Sequence, residues 1–262
     1  MKSAKSTKVT KPTKAAKAAK PTQPAAKAKH KLGWIGMGRM GRALDALAPE
    51  RGCEVVARLD AAEMSNGITA ADLHGAQVAI EFTTPESSVA NAIALLQLGC
   101  PVVIGTTGWS AQLPAVEAAT QAARCAALWS PNFSIGVQLF LLMAEDAARR
   151  ARQVAGFDAH VVETHHIAKL DAPSGTGIAI ADRLRDGLGR EVPITSVRTG
   201  SVPGTHEIIF DAPFEQIRLV HEARDRRVFA DGALTAARWL ASARLPAVYT
   251  MRDVLAASQA TS

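Results

Sequence analysis

Apolar and polar positions divide the chain into three stretches with different rhythms. Residues 1–31 show no periodic apolar signal. From residue 32 to about residue 129, short apolar runs alternate with segments of helical period. The runs at 32–35, 53–59, 78–82, 101–104 and 126–129 read as strands. The segments ending near residue 47 and spanning 85–98 and 110–124 read as helices. Pro85 opens one of them, at a position where a missing N–H costs least. Strands alternating with helices of this length predict a parallel sheet with crossover helices on its faces.

The rhythm changes after residue 132. An apolar helix is predicted over 133–152, a long strand over 157–166 and a helix over 174–188. Strand-like runs follow closely at 194–199, 206–210 and 214–222. In the last of these Glu215, Ile217, Leu219 and His221 alternate with Gln216, Arg218, Val220 and Glu222, so one face should be covered and the other partly wet. A helix over 235–243 would return the chain to the first unit. The fold class expected is therefore α/β: a doubly wound parallel sheet of Rossmann type over 32–132, then an α+β unit over 133–234. Residues 235–262 close back on the first unit. No internal repeat is visible.

Charge sharpens the first boundary. Residues 1–31 hold ten lysines and no acid, while the rest carries 24 acidic side chains against 20 basic ones. The tail is rich in Lys, Ala, Pro and Thr and too poor in large apolar side chains to offset its ordering entropy, so disorder is expected there. Such a run is either a solvated extension or a weak contact for nucleic acid. It has no apolar core of the secretory kind. No apolar run approaches the length needed to span a membrane. Cys53, Cys100 and Cys125 are scattered without C-x-x-C spacing, as in small buried residues of a cytoplasmic protein.

Three segments carry candidate chemistry. Gly36-Met37-Gly38-Arg39-Met40-Gly41 follows a strand and opens a helix, and Asp60 ends the next strand. Glycines there admit a pyrophosphate to the backbone, the helix N-terminus supplies donors, and the acid takes ribose hydroxyls. A dinucleotide, NADH or NADPH, is the expected cofactor. Asp60 favours NADH, with Arg39 and Arg58 close enough in sequence to weaken that preference. Gly105-Thr106-Thr107-Gly108 and Ser130-Pro131-Asn132-Phe133 follow the fourth and fifth strands, on the edge where open α/β sheets bind ligands.

The third segment is Glu163-Thr164-His165-His166-Ile167-Ala168-Lys169-Leu170-Asp171-Ala172-Pro173-Ser174-Gly175-Thr176-Gly177. It holds the single lysine found after residue 31. Adjacent histidines in a strand point to opposite faces and should differ in role. Ser174 should cap a helix, leaving the N–H groups of Gly175 and Thr176 free for an anion. Lys169 and one histidine could hold a second anionic group, and the other histidine could donate a proton near neutral pH. A metal site is not expected, because no cysteine or carboxylate set completes the histidine pair.

This segment resembles the signature of the 4-hydroxy-tetrahydrodipicolinate reductases, also called dihydrodipicolinate reductases. The likeness extends to Gly105–Gly108, to Pro131 through Val137, to Arg198-Thr199-Gly200, to Gly204-Thr205-His206-Glu207 and to 226–232. The resemblance implies reduction of an unsaturated cyclic dicarboxylate in the diaminopimelate route to lysine, by a homotetramer. Hydride would reach ring carbon 4. It makes His165 the proton donor and assigns His166, Lys169, Gly175 and Thr176 to the dicarboxylate. Arg226 and Phe229 would line the closed site, and hinges would lie near 132–135 and 230–236. The glycine turn is one residue shorter than the common family form, and 60–77 is shorter than in long members. Another Rossmann reductase, such as an amino-acid dehydrogenase, or a non-catalytic NAD sensor are the rival readings.

Overall fold

The protein is described here by a computed structural model covering residues 29–242 and 244–259. The expected disorder of the lysine-rich tail falls on residues outside these, apart from its last residues. Those differ from expectation: the first strand starts at His30, not at residue 32. His30 N–H donates to the Gly52 carbonyl and Lys31 N–H to the Gln77 side chain. Main-chain pairing of this kind needs no apolar side chain, so hydropathy did not mark it.

The first sheet is built from β1 (His30–Ile35), β2 (Cys53–Leu59), β3 (Val78–Glu81), β4 (Val102–Ile104), β5 (Ala127–Trp129) and β10 (Val248–Tyr249). Its order is β10-β5-β4-β3-β1-β2 and every pairing is parallel. Helices α1 (Arg39–Leu47), α2 (Pro85–Gln97) and α3 (Leu113–Ala123) make the crossovers. Leu32, Trp34 and Ile35 of β1 are fully buried, as a strand covered on both faces requires. Burying each such side chain contributes about 1.5–3 kcal/mol. The three cysteines are buried and free.

The second sheet is mixed. It comprises β6 (Asp158–His165), β7 (Ile194–Arg198), β8 (Thr205–Ala212) and β9 (Glu215–Glu222), in the order β7-β6-β8-β9. β6 runs parallel to β7 and antiparallel to β8. Helices α4 (Ile135–Ala151) and α5 (Gly175–Leu188) cover one face, where Phe140, Ala144, Ile180 and Leu184 meet Val161, Ile208 and Phe210. Among the described residues no helix covers the other face, and Val197 and Val220 are exposed on it.

Three elements depart from the sequence reading. The returning helix, α6 (Arg227–Leu240), begins eight residues earlier than expected. Its buried face is mostly alanine, with Gly232 where an added Cβ would lie 1.7 Å from the Phe133 carbonyl oxygen. Small residues let α6 press onto α1, β3 and β5, but they give little apolar contrast. The hinge expected at 230–236 therefore lies within a continuous helix, pinned against the β5–α4 connection. β10 and α7 (Met251–Gln259) were not anticipated either. Both are short, and Met251 and Val254 of α7 sit in the core of the first sheet.

Candidate active site

The carboxyl ends of the first sheet face the carboxyl end of β6, and a cavity of about 1040 Å³ lies between them. Arg39, Met40, Phe82, Gly105 and Thr107 border it from the first unit. The connection Pro131, Asn132 and Phe133 borders it, as do His165, His166, Lys169, Gly175 and Thr176 from the second. Arg226 and Phe229, at the start of α6, complete the wall. Residues from three distant parts of the sequence thus meet around one space.

Gly36, Met37, Gly38, Gly41 and Asp60 do not border this cavity; they form the turn beyond Arg39 and the end of β2. The turn fits a pyrophosphate. Gly36 has φ +96°, and a Cβ there would lie 2.2 Å from the Phe82 carbonyl oxygen. A Cβ on Gly41 would lie 2.3 Å from the Gly36 carbonyl oxygen, so both positions require glycine. A Cβ on Gly38 would meet nothing within 4 Å, so that side of the turn is open. The open side lies at the N-terminus of α1, where free N–H groups and the helix dipole favour an anion.

Thr106 departs from expectation. Its side chain is buried, accepts from Thr83 N–H at 2.8 Å and donates to Glu81 at 3.1 Å. Glu81 is itself fully buried, and burial pushes its carboxyl up against the pull of bonds from Ser88, Thr83 and Thr106. The carboxylate ties the loop after β4 to the loop after β3. Thr107 is the hydroxyl that faces the cavity.

The second unit brings titratable side chains together. Glu163 and His165 lie two residues apart on β6 and so share its covered face. His165 Nδ1 is in close hydrogen bond with Glu163 Oε2. Glu163 Oε1 accepts from Arg198 Nη2 at 2.7 Å and from Ser174 N–H at 3.3 Å. Burial works against the Glu163 charge, but Arg198, Ser196 and His165 overcome it and hold the carboxyl at about 2. His165 is shifted downward too, which for a histidine favours the neutral form. Burial lowers its pKa, Glu163 opposes that, and the charges of Lys169 and Arg198 lower it further.

With Nδ1 engaged by Glu163, Nε2 is the other nitrogen of the His165 ring. An added Cβ on Gly204 would lie 3.0 Å from it, so glycine at 204, with φ +155°, keeps that nitrogen clear. His166 is not on the opposite strand face as expected. β6 ends at His165, His166 N–H donates to the Val202 carbonyl, and strand alternation stops there. Both rings border the cavity. Arg226 Nη2 reaches His166 Nε2 at 2.9 Å, across 60 residues of chain.

Ser174 caps α5 as expected, its Oγ accepting from Gly177 N–H at 3.1 Å. A serine cap of this kind contributes about 1 kcal/mol. Asn132 Nδ2 donates to Thr176 Oγ1 at 3.0 Å, so the β5–α4 connection braces the same helix start. Lys169 lies within 2.7 Å of Asp171.

Glu163, Arg198, Gly204, His206 and Asp171 carried no assigned role in the sequence reading. The spacing of Glu163 and His165 on a strand was the signal for the first of them. The reason given against a metal also fails: the donor atoms of Glu163, His165 and His206 all lie within 4.8 Å of one another. Glu163 is, however, already bonded to Arg198, Ser174 and His165. His206 is buried, and that burial, with the neighbouring His165 and His221, lowers its pKa to about 4.

Comparison with known proteins gives the family. Residues 30–133 match the family described as dihydrodipicolinate reductase, N-terminus, and residues 136–255 match its C-terminus. The 4-hydroxy-tetrahydrodipicolinate reductase of Thiobacillus denitrificans is 36% identical over 257 residues, covering 83% of this chain and 95% of its own. That of Stenotrophomonas maltophilia is 40% identical over 231 residues, covering 83% and 94%. A solved structure, a dipicolinate-bound dihydrodipicolinate reductase from Paenisporosarcina, superposes with a TM-score of 0.70. It does so at 23% identity, over 85% of this chain and 97% of its own. The strand–turn–helix nucleotide site, the Glu163–His165 pair and the capped helix at Ser174 thus occur in a chain that belongs to the dihydrodipicolinate reductase family.

Proposed function

We propose that this protein is a 4-hydroxy-tetrahydrodipicolinate reductase, forming tetrahydrodipicolinate with NADH or NADPH in the diaminopimelate route to lysine. One observation carries the reading. A single cavity is bordered on one side by the nucleotide-binding unit and on the other by Lys169 and the first residues of α5, Gly175 and Thr176. The nicotinamide, when bound, supplies the hydride for ring carbon 4. Arg39, Met40, Gly105, Thr107 and the 131–133 connection border its half of the cavity. Lys169 and His166 hold one carboxylate of the substrate, and the Gly175 and Thr176 amides hold the other. Fixing the ring by both ends orients it, and orientation of this kind can supply much of a rate.

His165 then donates a proton from Nε2. Burial lowers its pKa, and the cationic Lys169 and Arg198 lower it further. A bound dicarboxylate brings two negative charges beside the ring and offsets Lys169. Substrate itself therefore raises the protonated fraction of its own general acid. Glu163 keeps the ring in one orientation throughout.

NADH is favoured over NADPH. Asp60 is exposed at the end of β2, where a carboxylate would repel a 2′-phosphate. Arg58 is engaged by Asp45 at 2.6 Å rather than turned to the nucleotide. The uncovered face of the second sheet, with Val197 and Val220 exposed, supports assembly into a homotetramer through that unit. A mass four times the 27.6 kDa of the subunit is expected by light scattering.

A coupled assay tests the reaction. The protein is mixed with the upstream synthase, pyruvate and aspartate semialdehyde, and loss of NADH or NADPH is followed separately. Synthase-dependent oxidation, faster with NADH, is expected. No oxidation above the synthase-free rate would refute the assignment. For the cofactor, Asp60→Ala should raise the NADPH-to-NADH ratio of kcat/KM, and an unchanged ratio removes Asp60 from the ribose.

A further inference from the structure

Lys169 does not stand free in the cavity. Its Nζ lies 2.7 Å from one carboxylate oxygen of Asp171 and 3.0 Å from the other. Asp171 is held below the usual carboxylate range by Lys169 first, with the backbone N–H of Gly175 adding to the effect. These are two of the donors assigned above to the substrate's carboxylates. One internal carboxylate therefore sits between both halves of the anion grip.

The main chain around it is tied down. Arg198 Nη2, the same nitrogen that binds Glu163, donates to the Asp171 carbonyl oxygen at 2.6 Å. His166 N–H donates to the Val202 carbonyl at 2.8 Å and Lys169 N–H to the His166 carbonyl at 3.1 Å. The Asp171 side chain is different: 56% of it is exposed, against 24% for Lys169. It can turn into water without moving the backbone that carries Lys169.

We propose that Asp171 is a built-in plug, a carboxylate of the protein that pairs with Lys169 and is displaced when a ligand carboxylate binds. The proposal rests on the reading of Lys169 given above. Its consequence is a site whose charge is balanced before substrate arrives. Any anion must compete with Asp171 for the ammonium. A monoanion has only that contact to gain, and competition carries its weak affinity out of the useful range. A dicarboxylate gains a second anchor at the start of α5, on the Thr176 amide and the Gly175 N–H that Asp171 releases, and bears the same penalty with affinity to spare. Asp171 thus raises the threshold for occupancy without touching the reacting atoms.

The test is calorimetric titration of the full chain with pyridine-2,6-dicarboxylate at saturating NADH, with KM measured in parallel. Asp171→Asn and Asp171→Ala should each tighten the analogue about two- to fivefold, the range that a partly exposed ion pair is worth. KM should fall by the same factor. In a Lys169→Gln background the same substitutions should change nothing, because the contested cation is gone. Weaker or unchanged binding in Asp171→Asn, with Lys169→Gln itself weakening the analogue, would sink the plug and leave Lys169 as a ligand group. Tightening that persists in the Lys169→Gln background would also sink it. If Lys169→Gln binds the analogue normally, the assignment of Lys169 fails first and the plug with it.

Discussion

At the residue scale the two adjacent histidines separate by what holds them. His165 is fixed through Nδ1 by a buried, ionised Glu163, and His166 through Nε2 by Arg226. In the role proposed for it, His165 is a general acid, a contribution of roughly 10²–10⁴-fold. His165→Gln should therefore lower kcat by about that factor with little change in the affinity for pyridine-2,6-dicarboxylate. His166→Gln should act mainly on that affinity. Steady-state kinetics beside titration of the analogue distinguishes them, and a reversed pair of phenotypes would exchange the roles. Glu163 makes a separate prediction. Its folded pKa, about 2, lies below the ordinary 4.5. A depressed carboxyl stabilises the fold above the ordinary value and loses that contribution as pH falls through the folded one. Unfolding free energy should drop between about pH 4.5 and 2, and Glu163→Gln should flatten that part of the profile. An unaltered acid limb in denaturant titrations would show that the Glu163 charge is not coupled to folding.

At the scale of elements, legibility followed side-chain contrast. β1, with Leu32, Trp34 and Ile35 together, and α4, with its long apolar run, were visible from hydropathy. The start of α6 was not, because its buried face is Ala230, Ala233, Ala236 and Ala237, which differs little from an exposed alanine surface. β10 has two residues and no pattern to read. The nucleotide turn and the 163–177 segment were legible because their chemistry is local in sequence. Arg198 and Gly204 were not, since each acts by proximity across strands that only β6–β7 and β6–β8 pairing creates. Gly232 shows the same point energetically. Gly232→Ala would drive a methyl into the Phe133 carbonyl. Overpacking of this kind costs typically 1–3 kcal/mol. Thermal unfolding should reveal it, and because Phe133 borders the cavity, affinity for NADH should fall as well. A variant as stable as the parent would mean that α6 can slide away from the connection.

At the scale of the whole molecule, two sheets share one cavity, and the loop bearing Lys169 stands at its mouth. Leu170, the next residue, is 97% exposed, and Lys169 is the single lysine after residue 31. A protease that cuts only after lysine therefore finds one peptide bond to hydrolyse beyond the lysine-rich N-terminal segment. That bond adjoins the side chain assigned to the substrate. Its cleavage rate becomes a meter of occupancy, with no label and no substitution. Pyridine-2,6-dicarboxylate with NADH should slow the appearance of the two fragments in proportion to the fraction bound, and either ligand alone should slow it less. Cutting at an unchanged rate in the ternary complex would show that the loop stays open around a filled site.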